Sequence, residues 1–163
     1  MTTKNRTKIT AEPGRQELFI TREFEAPREL VFKAFSDPAI LVRFLGPDNL
    51  EMKIDHYNFK SGGSYRYTHT DKNGNEYAFR GCIHEVSAPE MAIQTFEFEG
   101  MPQKGHVSLD TSLFEALPNN RTRLTIHSVF RSVADRDGIV MSGMEDGLSQ
   151  GFAKLDAILE KGI

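Results

Sequence analysis

The sequence predicts an α+β fold: one antiparallel sheet, two short helices after its first strand, and a long helix at the C-terminal end. Three observations carry that reading. ELFITREF (Glu17–Phe24) is short, β-prone and alternating, and the stretch after it recurs at helical spacing. Six β-rich runs then follow one another with short turns between them, which argues an antiparallel meander. Finally, Val140, Met144, Leu148, Phe152, Leu155 and Leu159 recur every three or four residues, the stripe of an amphipathic helix.

Each element has its local reason. In APRELVFKAFSDPAILVRFLGP, Pro27 suits a first helical turn, and Leu30, Val31, Ala34 and Phe35 share a face. Ser36-Asp37-Pro38 stops that helix and starts another, with Ile40, Leu41 and Phe44 inward, until Gly46-Pro47 ends the pair. Strands are expected near Leu50–Asn58, Ser64–Thr70, Glu76–Val86, Met91–Glu99, His106–Glu115 and Arg121–Phe130. The turns Ser61-Gly62-Gly63, Lys72-Asn73-Gly74 and Leu117-Pro118-Asn119-Asn120 use residues that tolerate tight or positive-φ backbone. Ser132, followed by Asp135, reads as the N-cap of the last helix, and Lys154 and Lys161 lie toward its C-terminal end.

A chain of 163 residues fits one domain with a substantial core. We expect residues 1–16 to form a partly disordered or extended arm and residues 17–163 the domain. The arm carries Lys4, Arg6, Lys8 and Arg15 but no apolar segment, so it reads as a solvated leader and not a secretory signal. A net charge of −3 provides no basic field for nucleic acid. No run approaches the roughly 18 apolar residues of a membrane span. The single cysteine, Cys82, has no intrachain disulfide partner, which suits a reducing, cytoplasmic setting.

The stretch GMEDGLSQGF places Gly143, Gly147 and Gly151 on one face of the expected helix. A glycine inside a helix costs about 1 kcal/mol relative to alanine. Polar neighbours exclude a membrane dimer face. Two readings stay open: close approach of the helix to another backbone, or room left beside it for a cavity.

The segments TREFEAPRELVFKAFSDP, FLGP, SGGSYRY, NGNEYAFRGCIHEV, FEFEG and SGMEDGLSQGFAKLDAIL occur in an order and spacing that resembles the heat-shock-protein-90 ATPase activator homologue family, over about Glu17–Lys161. That family belongs to the START-like, helix-grip superfamily (SRPBCC, or birch-pollen-allergen-like). The resemblance implies a seven-stranded antiparallel sheet wrapped around a long C-terminal helix, with two short helices after strand 1. It also implies an apolar cavity between sheet and helix. Two positions depart from the family. Many members carry paired tryptophans before Gly-Pro, where this chain has Phe44 and Leu45. Members commonly carry serine or a larger residue at the position of Gly151, so fewer atoms there would widen the space under an inward-facing helix.

Chemistry-bearing motifs are sparse. His56, His69, His84, His106 and His127 form no metal-ligand spacing, so no metal or cofactor is expected. Cys82 has no activating partner placed by the sequence, and there is no GxSxG elbow, so no catalytic residue is assigned. Ser61-Gly62-Gly63-Ser64 lacks the lysine and helix of a phosphate loop. Glu97 and Glu99 share a face and are expected to meet water, with Phe96 and Phe98 opposite and Arg80 available as a cross-strand partner.

The resulting expectation is a non-enzymatic binding protein for a hydrophobic or amphipathic small molecule. Cavity candidates are Phe35, Phe44, Tyr65, Tyr67, Phe79, Phe96, Met144, Leu148 and Phe152. Two alternatives stand beside it. One is a co-chaperone-like interaction domain, although a chaperone partner is not expected. The other is a cyclase or aromatase-type enzyme, for which His69, His127 or Arg66 would be the acid/base groups. Exposed edge strands are compatible with a homodimer.

Overall fold

A computed structural model describes residues 5–163. The order of elements is β1 (Lys8–Thr10), β2 (Glu17–Phe24), α1 (Arg28–Ser36), α2 (Pro38–Leu41), β3 (Glu51–Tyr57), β4 (Ser64–Thr70), β5 (Glu76–Ser87), β6 (Met91–Phe98), β7 (Val107–Leu117), β8 (Arg121–Val129), α3 (Val133–Met141) and α4 (Met144–Lys161). All strands join one antiparallel sheet in the order β1-β2-β8-β7-β6-β5-β4-β3. From β3 to β8 each strand pairs with the next, as a meander requires. The first long strand closes on the last, Glu17 opposite Val129 and Phe24 opposite Thr122.

The expectation of seven strands is corrected to eight. The additional strand, β1, lies in the N-terminal arm and pairs along the free edge of β2, with Ile9 opposite Ile20. Three residues are too few for an alternating pattern to register, yet pairing there satisfies backbone groups that a bare edge would leave open.

The turn chemistry explains the strand ends. Gly62 and Gly74 take positive φ, as do Asn119 and Asn120 in the β7–β8 turn. Register shifts between Ile54 and His56 and between Ile83 and Glu85 mark bulges, which increase local twist and bend the sheet around its concave face. Asp37 caps α2 by accepting from the Ala39 N–H at 2.9 Å, and Ser132 caps α3 by accepting from the Asp135 N–H at 3.0 Å. Pro27 precedes α1 as its N-cap instead of entering the first turn.

The expected long helix is also corrected. It divides at Ser142–Gly143, where Gly143 adopts φ +86. The hydrophobic period runs through the break, but the left-handed backbone at Gly143 ends one helix and redirects the chain into the next. Arg136 pins α3: it is buried and donates to the Glu17 carbonyl at 3.0 Å. The α4 helix buries Gly151, Phe152, Leu155 and Ile158. Its Phe152 meets Phe24 edge-on at 5.5 Å, and its Asp156 accepts two hydrogen bonds from the buried Arg22 of β2, at 2.6 and 3.1 Å.

Candidate functional site

Between the concave face of the sheet and the helices lies a cavity of about 450 Å³. Alternation along the strands decides which side chains reach it. From β4 come Tyr65, Tyr67 and His69; from β5 Phe79; from β6 Ala92, Gln94 and Phe96. The β7 strand supplies Ser108, Asp110, Ser112 and Phe114, and β8 supplies Leu124, Ile126 and Ser128. The roof is Phe35 of α1, Leu45–Pro47, and Met144, Gly147, Leu148 and Phe152 of α4. Ser142 and Gly143, at the joint between α3 and α4, also line it and are the exposed members of the lining.

Of the expected cavity residues, Phe35, Tyr65, Tyr67, Phe79, Phe96, Met144, Leu148 and Phe152 lie on this wall. Phe44 does not. It is fully buried behind Phe35, their rings edge-on at 5.3 Å, and its neighbour Leu45 takes the lining position.

The glycines of the GMEDGLSQGF stretch divide into three roles. Gly143 is the helix break. Gly147 faces the cavity, and a Cβ there would meet only Pro47 Cδ at 3.7 Å. Gly151 is the close-approach position: a Cβ would lie 2.8 Å from the Phe44 carbonyl oxygen and 3.3 Å from the Gly46 nitrogen. The absent side chain at 151 therefore admits the Phe44–Gly46 backbone and does not widen the cavity.

The aromatic wall is continuous. Tyr67 stacks on Phe79 at 5.3 Å, Phe79 on Phe96 at 5.3 Å, and Tyr65 on Tyr67 at 6.1 Å. The Tyr65 hydroxyl donates to the Thr95 carbonyl at 2.6 Å, and the Tyr57 hydroxyl to the Phe35 carbonyl at 2.5 Å. Burial pushes the Tyr57, Tyr65 and Tyr67 hydroxyls well above their ordinary range, so all three are neutral donors.

Two titratable groups sit in this apolar setting. His69 is buried, with its Nε2 enclosed and without a partner. Burial lowers its pKa against a backbone hydrogen bond at Leu45, and the charge of Lys154 lowers it further. Asp110 lies in the middle of the floor. Burial pushes its carboxyl up to about 6, against hydrogen bonds from Ser128 and Ser108 and the charge of His127. Asp110, Gln94, Ser108 and Ser128 were not expected here, because the LDTSL stretch of β7 presents its leucines outward, opposite to the usual alternation.

The groups weighed for catalysis separate. His127 lies on the outer face, stacked on Phe19 at 4.5 Å and 2.7 Å from Glu17. Arg66 is also outside, bonded to Glu99 at 2.8 Å and to Asp55. Only His69 borders the cavity. Glu97 and Glu99 do not simply meet water. Glu97 is 7% exposed, bound by Arg80 at 3.1 Å and by the Gly105 N–H at 2.7 Å, because the β6–β7 loop folds over it. Among the described residues no group of three or more His, Cys, Asp or Glu is placed to hold a metal ion. No helix among them is long and apolar enough to cross a membrane.

A curved antiparallel sheet gripping a C-terminal helix across an apolar cavity defines the START-like, helix-grip class. The family model for Activator of Hsp90 ATPase homolog 1-like protein matches residues 25–160, and the chain belongs to that family. Similar solved structures include a Rhodobacter sphaeroides protein at 21% identity and TM-score 0.84, covering 94% of this chain and 98% of that one. An Arthrobacter aurescens protein is 26% identical at TM-score 0.83, covering 94% and 91%. The AHSA1 protein of Silicibacter pomeroyi is 23% identical at TM-score 0.74, covering 90% and 99%. No curated protein matches the sequence.

Proposed function

We propose that this protein is a binding module that holds a hydrophobic or amphipathic small molecule in the cavity between the sheet and α4. The observation that carries the reading is the cavity itself: about 450 Å³, walled by stacked aromatics and aliphatics, with a few polar groups and exposed lining residues at the α3–α4 joint. Pockets of roughly 300–1,000 Å³ with such a lining suit drug-sized ligands. Selectivity would come from the polar groups, and affinity from the apolar area removed from water. Of the three groups weighed for acid/base chemistry, His127 and Arg66 point away from the cavity, and His69 borders it without either of them beside it.

The test is a fluorescence titration with the neutral apolar dye N-phenyl-1-naphthylamine. The wild type is expected to show saturable one-site binding. Leu148→Trp on the α4 side and Ser112→Phe on the floor are each expected to abolish it while thermal unfolding remains cooperative. Unchanged dye binding in both folded variants would place the dye elsewhere and overturn the proposal.

A further inference from the structure

The β7 strand is arranged against the usual economy of a strand packed on a core. Its inward positions are Ser108, Asp110 and Ser112, followed by the buried Phe114, while Leu109 and Leu113 face outward, 47% and 43% exposed. Burying a leucine stabilises a fold by about 1.5–3 kcal/mol, and burying a carboxylate without a counter-charge is costly. The arrangement forgoes stability on both counts, the pattern expected where a site and not packing sets the residue choice.

The register gives this inversion a geometry. Asp110 is directly opposite Gln94 on β6 and Ser128 on β8, forming a polar row across three adjacent strands. The row ends in apolar shoulders, Ile83 opposite Gln94 and Leu18 opposite Ser128. The Ser108 hydroxyl donates to Asp110 Oδ1 at 3.1 Å. From β4, Tyr65 and Tyr67 lie near enough to sense its charge. Lysine and arginine are missing from the described residues that line the cavity, and α1, α3 and α4 bring only Phe35, Ile139, Met144, Gly147, Leu148 and Phe152 to it. The one basic side chain on the wall, His69, is held toward its neutral form by burial. On the cavity side the carboxylate thus has hydroxyl partners but no lysine or arginine, and the His127 charge acts on it only from the outer face of the sheet.

We infer that the ligand's polar end is a hydrogen-bond donor, an ammonium group, held against Asp110, so that the cavity selects amphipathic amines over carboxylates and other anions. The inference rests on the binding function proposed above and names the ligand class. An ammonium supplies the missing counter-charge in a low-dielectric site, where it is worth far more than in water. A ligand carboxylate would place a second negative charge beside the first. The apolar part of the ligand would lie along the aromatic wall of Phe79, Phe96 and Phe35.

Calorimetric titration of the intact protein with decylamine, decanol and decanoate, all below their micellar concentrations, tests this. Decylamine is expected to bind at least about tenfold more tightly than decanoate near neutral pH, with decanol between them. In Asp110→Asn, a near-isosteric change, the amine is expected to lose this advantage and decanol to bind as before. Lowering the pH through about 6 is expected to weaken decylamine binding to the wild type as Asp110 takes a proton, with decanol binding unaffected. His127, on the outer face of β8, is the other charged group that acts on Asp110, and its charge favours the ionised carboxylate. Decanoate binding as tightly as decylamine, or an amine preference intact in Asp110→Asn, would overturn the inference while leaving the binding function standing. Failure of all three probes, decanol included, would remove the binding function and this inference with it.

Discussion

Two glycines four residues apart on α4 are expected to respond to the same substitution with opposite signs. Alanine is favoured over glycine in a helix by about 1 kcal/mol. At Gly147 the new Cβ meets only Pro47 Cδ at 3.7 Å, an ordinary contact, so Gly147→Ala should retain most of that gain. At Gly151 the same atom falls 2.8 Å from the Phe44 carbonyl oxygen. The obstacle is backbone, and it cannot retreat freely. Gly46, next along that segment, has φ +100 and sits so close to the His69 ring that a Cβ on it would be 2.7 Å away. Overpacking costs about 1–3 kcal/mol, and a pinned backbone puts this site at the upper end, for a net loss of about 2 kcal/mol. In a domain of this size 1 kcal/mol moves Tm by about 2–4 °C. Gly147→Ala is therefore expected to raise Tm by about 2–4 °C and Gly151→Ala to lower it by about 4–8 °C. Thermal unfolding followed by circular dichroism reads both. If Gly151→Ala melts at or above the wild type, the close-approach explanation for this glycine is wrong.

Two further predictions concern buried charge. Arg22 and Asp156 have side chains 2% and 9% exposed, with the guanidinium 4.9 Å from the Phe24 ring centre. Arg22→Ala takes the guanidinium away from that buried carboxylate and should cost about 3–5 kcal/mol in urea unfolding, whereas Arg22→Met combined with Asp156→Leu should recover most of the loss. A double variant no more stable than the single one would contradict this. For Asp110 the folded pKa is raised to about 6, so ionisation is harder in the folded state. Its contribution to stability is greatest below about pH 4 and falls by about 3 kcal/mol as pH rises through about 6. His69 has the opposite sign, since its lowered folded pKa means stability is lost as pH falls below about 6.5. That term is common to both proteins, so the wild type minus Asp110→Asn difference in urea unfolding should isolate the aspartate. A difference independent of pH would show that Asp110 is not buried as described.

The parts of the fold that local chemistry dictates were legible in the sequence. Strand β4 has the expected bounds, because Gly62-Gly63 and Lys72-Asn73-Gly74 punctuate both sides of an alternating run. The capping of α3 by Ser132 was equally local. What a period cannot reveal is one left-handed residue within an otherwise continuous stripe, which is why Gly143 was read as helix interior. Nor can it reveal a three-residue edge strand such as β1. The hardest feature was the inverted face of β7. Placing apolar residues inward by default sends Leu109 and Leu113 to the core, whereas the structure buries Phe114 and carries Ser108 and Asp110 inward with it. The phase of the strand was the available signal: Phe114 shares its parity with Asp110. Phe44 shows the converse limit. An aromatic beside Gly-Pro reads as a cavity residue, but only the packing of α1 on the following turn places Phe35 in front of it.

The central claim is that the space under α4 holds a small molecule. Native mass spectrometry of the protein purified gently from its own host, then repeated under denaturing conditions, tests it most directly. The account predicts a folded species heavier than the chain by one molecule, which denaturation releases, and fragmentation of that molecule should show an apolar body bearing an amine. A bare chain under both conditions, with the neutral dye also failing to bind, would contradict the claim and leave the cavity as a packing defect of the fold.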